Sequence, residues 1–323
     1  MIFRTEVTLE ESKHKIQLED RIFSIGSCFA TEMASIFASG QMQVFHNPFG
    51  VIFHPVAINN ALKRIHTGKY YSAEDLIYYK NRYISLDHHT HFDSRYLHKS
   101  LELINENITQ SIDFLRETRW VIVTYGTSWI YEFIESQKIV ANCHKIPQHF
   151  FKKRMLTHEE IKKAILETIS IIQDIAPKGV RILFTLSPVR HIKDGLVENQ
   201  RSKAKLLSAL HEIIEESNNS EYLPVYEMLM DDLRDYRFYK EDLIHPNTQA
   251  VQYVWERFST AYLSPETQKF IQENNKIQKA LSHRPFDEYS EEYQKFKEKT
   301  KQKIEQQQKK VRRTIFSEAL QKL

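Results

Sequence analysis

Cysteine is almost absent from this chain. Cys28 and Cys143 are the only two in 323 residues, too few for a disulfide framework. No run of about 18 apolar residues occurs, so no transmembrane helix is expected. The opening residues Met1-Ile2-Phe3-Arg4-Thr5-Glu6 lack a charged start followed by an apolar core, so they do not read as a signal peptide. Together these absences point to a cytoplasmic protein with reduced thiols. Glycine is also scarce, with seven residues, and three of them (Gly26, Gly50 and Gly126) follow predicted strands. That placement suits tight turns or close approach of the backbone to a ligand.

The remaining composition is that of an ordinary globular protein, 41% hydrophobic and 27% charged. The net charge of +3 is unevenly spread. Residues 295–313 hold nine Lys/Arg and two Glu, a net of +7, which leaves −4 for the rest. A mildly acidic body argues against a core built around nucleic acid.

Short apolar runs alternate with amphipathic segments. Ile22 to Ile25, Met42 to Phe45, Trp120 to Tyr125, Val180 to Leu186 and Tyr222 to Tyr226 read as strands. Residues 30–39, 55–67, 101–118, 157–175, 199–216 and 246–258 read as helices, the fourth opened by the capping box Thr157-His158-Glu159-Glu160. The alternation predicts an α/β fold, a three-layer doubly wound parallel sheet. Ligands of such sheets bind beyond the carboxyl ends of the strands, where the polar motifs lie. Residues 70–99, rich in Tyr and His without a clear period, read as an insertion within a domain spanning 1–263. Residues 264–323 contain no glycine and are dominated by Lys, Glu and Gln. They read as a charged helical extension lying on or beyond the main domain, mostly a solvated face, with contact to a partner or an acidic surface, or self-association through its helix, as the minority readings.

The stretch that organises the functional reading is Ile22-Phe23-Ser24-Ile25-Gly26-Ser27-Cys28-Phe29-Ala30. An apolar strand turns at a glycine, presents a hydroxyl and then a thiol, and continues as a helix. The first-turn N–H groups of a helix favour an anion such as a thiolate or an oxyanion. Far along the chain, Asp242-Leu243-Ile244-His245-Pro246-Asn247 precedes another helix. A carboxylate three residues before a histidine can accept from its Nδ1–H and leave Nε2 free to take a proton. Read without context, an Asp-x-x-His is more often a local cap.

Gly26-Ser27-Cys28-Phe29-Ala30 spells the motif of the GSCFA family, which the chain resembles from about Phe23 to Phe258. Asn142-Cys143-His144-Lys145, Ser187-Pro188-Val189-Arg190-His191 and Asp242-x-x-His245-Pro246 resemble it too. The resemblance implies a fold of the SGNH/GDSL hydrolase type. Carried over by position, it puts the nucleophile at Cys28, or at Ser27 if the turn is shifted by one residue. It puts an oxyanion-hole N–H at Gly50, and Ser128 of Gly126-Thr127-Ser128-Trp129 at a position where the family pattern has Asn. Asp242 and His245 complete the triad. A thiol for a hydroxyl, and a hydroxyl for an amide, depart from ordinary ester hydrolysis.

The expected function is therefore a hydrolase or acyltransferase acting on an acyl ester or thioester of a small molecule or glycan, with no cofactor, nucleic acid or membrane span. Asn142 is a second candidate donor to the oxyanion, His144 and Lys145 belong to the same polar cluster, and Arg190, beside His191, is a candidate partner for a substrate carboxylate or phosphate. Two rivals stand beside it. A zinc site drawing on Cys28, Cys143, His144, His191 and His245 lacks paired ligand spacing. A ligand-binding protein without turnover would explain the missing Asn.

Overall fold

The computed structural model describes residues 4–283, 286–287 and 289–320. In chain order the elements are β1 (Arg21–Gly26), α1 (Cys28–Ser39), β2 (Gln43–His46), α2 (Pro55–Thr67), β3 (Ile77–Tyr79), β4 (Arg82–Ile84), α3 (Leu97–Leu115) and β5 (Thr118–Tyr125). There follow β6 (Trp129–Phe133), β7 (Lys138–Val140), β8 (Phe151–Met155), α4 (His158–Ile175), β9 (Arg181–Leu186), α5 (Leu196–Glu215), β10 (Ser220–Leu223) and the short α6 (Val225–Glu227). The chain continues with α7 (Thr248–Tyr262), α8 (Pro265–Leu281), α9 (Glu291–Gln308) and α10 (Ser317–Leu320).

Five strands pair in the order β10-β9-β5-β1-β2, all parallel. Their side chains alternate between two cores, as the two-residue period of a strand requires. Phe23, Ile25, Val121, Val123, Ile182 and Phe184 face one core, shared with α2 to α5. Ile22, Trp120, Ile122 and Leu183 face the other, shared with α1, α7 and α8. The result is the α/β architecture expected from the sequence, a parallel sheet with helices on both faces.

Two features differ from the sequence reading. Residues 129–155 contain an antiparallel sheet, β7-β6-β8, that the sequence reading did not anticipate, with a small core of its own around Ile84, Phe133, Val140, Ile146 and Phe151. The extension is charged, but it folds back on the body. Phe270, Ile271, Ile277, Ile304, Val311, Ile315 and Phe316 are buried in the core beneath α1. Arg313 clasps the far side of that region, donating to the carbonyls of Leu18 (3.2 Å) and Gln41 (2.8 Å) and to Glu19 (2.8 Å). Among the described residues no helix is long and apolar enough to cross a membrane.

Candidate functional site

Strands β1, β5 and β9 release their chains at one rim of the sheet, and the order reverses between β1 and β5. That reversal is where a doubly wound sheet opens a crevice. Cys28 opens α1 there. Gly26, at φ 140°, makes the turn, and its N–H donates to Asn47 Oδ1 at 2.8 Å. Ser27 sits at the N-cap, with its N–H on the Thr124 carbonyl (3.1 Å). Its hydroxyl is buried and, among the described residues, without a hydrogen-bond partner. Cys28 is half-buried. Burial raises its pKa, while its own N–H and that of Phe29 pull the other way; Glu32 raises it and Lys240 lowers it.

The Asp242–His245 loop folds against α1. Asp242 Oδ2 lies 2.7 Å from His245 Nδ1, and Oδ1 accepts the N–H groups of Ile244 and His245, both at 2.9 Å. These two backbone donors and the imidazole hold the Asp242 carboxyl down to about 2. Leu243 takes φ 57° to close this turn. Lys240 ties the loop to α1 through Glu32 at 3.3 Å, one turn beyond Cys28. Asn247 then caps α7, accepting from Ala250 N–H at 3.1 Å. Among the described residues no hydrogen bond joins the Cys28 sulfur to the imidazole, and none reaches its Nε2.

The loop after β9 reaches the same place. Arg190 N–H donates to the Ile244 carbonyl (3.4 Å), and its guanidinium lies 4.8 Å from the Tyr239 ring centre and 5.8 Å from that of Tyr236. His191 packs edge-on against Phe53 at 5.6 Å, and burial, with Lys203 and His245 nearby, lowers its pKa to about 4. Lys203, on the inner face of α5, is fully buried and bonded to the Ser187 carbonyl at 2.6 Å. Burial brings it down to about 7, with Cys28 acting in the opposite direction. The sequence reading missed Lys203. Its spacing with Leu206 and Leu210 placed it on the apolar stripe of α5, which was the available signal.

Other candidates have their polar groups engaged elsewhere. The Gly50 N–H donates to the Asn47 carbonyl (2.7 Å) and the Gly126 N–H to that of Phe53 (2.6 Å). Ser128 is buried, its N–H and hydroxyl both on Ser202 Oγ at 2.7 and 3.1 Å. Asn142 Oδ1 accepts the His144 N–H at 2.9 Å. The buried His144 ring lies between the Ser85 carbonyl (2.7 Å) and Asp93 (3.2 Å), in the small antiparallel sheet region. Lys145 is exposed beside it. Among the described residues no three His, Cys, Asp or Glu stand where they could hold one metal ion.

Among solved structures, the chain is similar to a DUF4886 family protein from Bacteroides uniformis. The identity is 8%, with 79% of this chain and 93% of that one covered, at a TM-score of 0.39. No curated protein matches the chain. Residues 275–323 match the C-terminal domain of GSCFA domain proteins. Residues 21–258, which carry the sheet, the thiol turn and the Asp-x-x-His loop, match the GSCFA family, and the chain belongs to it.

Proposed function

We propose that this protein is an SGNH-like hydrolase or acyltransferase that acts on an acyl ester or thioester, of a small molecule or glycan, through Cys28, His245 and Asp242. The observation that carries the reading is the 2.7 Å Asp242–His245 contact, held against the first turns of α1 by Lys240 and Glu32. Asp242 fixes the imidazole with its proton on Nδ1 and leaves Nε2 as the base. The Cys28 thiol gives its proton to Nε2 and the sulfur attacks the acyl carbon. The oxyanion forms against the N–H groups of Cys28 and Phe29. His245 returns the proton to the departing alcohol or thiol, and water or an acceptor hydroxyl then releases the acyl group from the sulfur. The imidazole must close on the sulfur for this, as catalytic contacts commonly tighten on substrate binding. Cys28 is the better nucleophile candidate because Ser27 is sealed from solvent.

One observation favours ligand binding without turnover: Ser128 and the Gly50 N–H are already committed within the protein. Alkylation separates the two readings. At pH 6 a catalytic Cys28 reacts with iodoacetamide far faster than Cys143, and His245→Ala removes the difference. Slow, equal labelling of both thiols would leave binding as the function.

A further inference from the structure

The loop after β9 holds a cation without a carboxylate. Arg190 is half-buried, and among the described residues no Asp or Glu forms an ion pair with it. Its Nη2 reaches Met230 Sδ at 3.8 Å, a weak acceptor. Its charge otherwise faces the rings of Tyr239 and Tyr236, at 4.8 and 5.8 Å. Ring faces offset the desolvation of a cation only in part. Neighbouring cations are served differently. Lys240 pairs with Glu32 (3.3 Å), Arg234 with Asp231 (3.1 Å), Arg237 with Asp235 (3.9 Å) and Lys153 with Asp194. The carboxylates nearest in sequence to the two tyrosines are thus spent on other arginines.

The position of Arg190 is fixed against the histidine loop. Its N–H donates to the Ile244 carbonyl (3.4 Å), one residue before His245. Tyr239 bridges to Pro246, one residue after it, and the Lys240 N–H donates to the His245 carbonyl at 2.7 Å. The arginine and the Tyr239 ring therefore touch the backbone on either side of the imidazole. Tyr239 is buried, and its O–H finds no acceptor among the described residues. A guanidinium fork beside an unspent phenolic donor is a donor set for an oxyanion. Ile192, Tyr236 and Leu243, on the same two loops, are more than half exposed and give the mouth an apolar border.

We propose that the Arg190 guanidinium and the Tyr239 hydroxyl hold an oxyanion group of the substrate, a carboxylate or a phosphate, beside the acyl bond that His245 serves. The inference rests on the proposed function and narrows it. The substrate is an anionic ester or thioester, presented with its charge towards the loop after β9. Two N–H groups of the fork meet two oxygens, and the phenol supplies a third bond. Arg190 is then a specificity-determining residue, because an uncharged ester leaves the guanidinium unpaired.

Succinate and inorganic phosphate are the probes, with neutral succinamide as the control. In protein carrying labelled arginine, the Arg190 Nε–H resonance should shift saturably with an anion and not with succinamide. Arg190→Gln assigns the resonance by its loss; if circular dichroism shows that variant unfolded, Arg190→Lys assigns it instead. Saturation by succinate at the lower concentration identifies a carboxylate site, and by phosphate a phosphate site. The bound anion should also slow alkylation of Cys28 by iodoacetamide, and the concentration needed should rise about tenfold in Arg190→Gln. A resonance that ignores both anions, while Cys28 still reacts faster than Cys143, overturns this inference and leaves the proposed function intact. A resonance that shifts without any change at Cys28 places the anion away from the site and overturns it too. Slow, equal labelling of both thiols removes the proposed function, and with it the claim that the anion belongs to a substrate.

Discussion

Gly26→Ala tests whether the thiol turn is as tightly set as the structure requires. Gly26 has φ 140°, and a β-carbon there would lie 2.1 Å from the Thr124 carbonyl oxygen. An L-residue in that backbone region costs about 1–3 kcal/mol. The obstructing atom is backbone on the central strand and has no rotamer to escape into. Relief comes only by parting β1 from β5 at the Gly26–Thr124 pair, which also breaks the Ser27 N–H bond to Thr124, worth about 1 kcal/mol. The sum is about 2–4 kcal/mol. Gly68→Ala provides the comparison. At φ 61°, with Ile112 Cδ1 at 3.9 Å as its nearest neighbour, it should cost about 1–2 kcal/mol from backbone strain alone. Urea denaturation of both variants against wild type measures the difference. A Gly26→Ala protein as stable as Gly68→Ala would refute the account of the turn.

Three further outcomes follow from other parts of the molecule. Burial pushes the Cys143 thiol up to about 11, so its labelling by iodoacetamide should stay slow at pH 8 and accelerate only towards pH 11, read by peptide mass spectrometry. His54 is fully buried and held down to about 4, so the unfolded chain takes up its proton first as the solution is acidified. Stability should therefore drop by about 3 kcal/mol as pH falls from 6.5 to 4. His54→Asn, able to keep the cap on the Ala57 N–H, should flatten that acid limb in urea melts at a series of pH values. Ile304→Ala removes a fully buried side chain of α9 and should cost about 2–4 kcal/mol by chemical denaturation; a loss below 1 kcal/mol would mean that the extension contributes little to the core.

The main sheet was legible because its strands are covered on both faces. Ile22 to Ile25, Trp120 to Tyr125 and Val180 to Leu186 are nearly continuous apolar runs, and burial on two sides demands that. The antiparallel sheet left no such trace. β8 reads Phe-Lys-Lys-Arg-Met, a charged edge strand paired on one side only, and its composition resembles a loop. The extension misled for a related reason. Its polar residues outnumber the apolar anchors Phe270, Ile271, Ile277 and Ile304, so average composition hid the burial of that face. At the site, the Asp242–His245 contact is local and follows from a three-residue spacing. The commitments of Gly50 to Asn47 and of Ser128 to Ser202 depend on where the loops meet in space, which spacing along the chain does not encode.

The helix that presents the thiol is finished by residues synthesised long after it. Asn274 secures the carbonyl of Gly40 across 234 positions, Ile271 fills the space against that glycine, and Arg313 reaches back to Gln41. A nascent chain stalled near Ser264 would already contain the thiol turn and the histidine loop, yet would leave much of the apolar flank of that helix uncovered on the ribosome. For this protein, translation of the charged segment completes the shelter of that helix, and premature stops there should yield aggregates rather than shortened, folded chains.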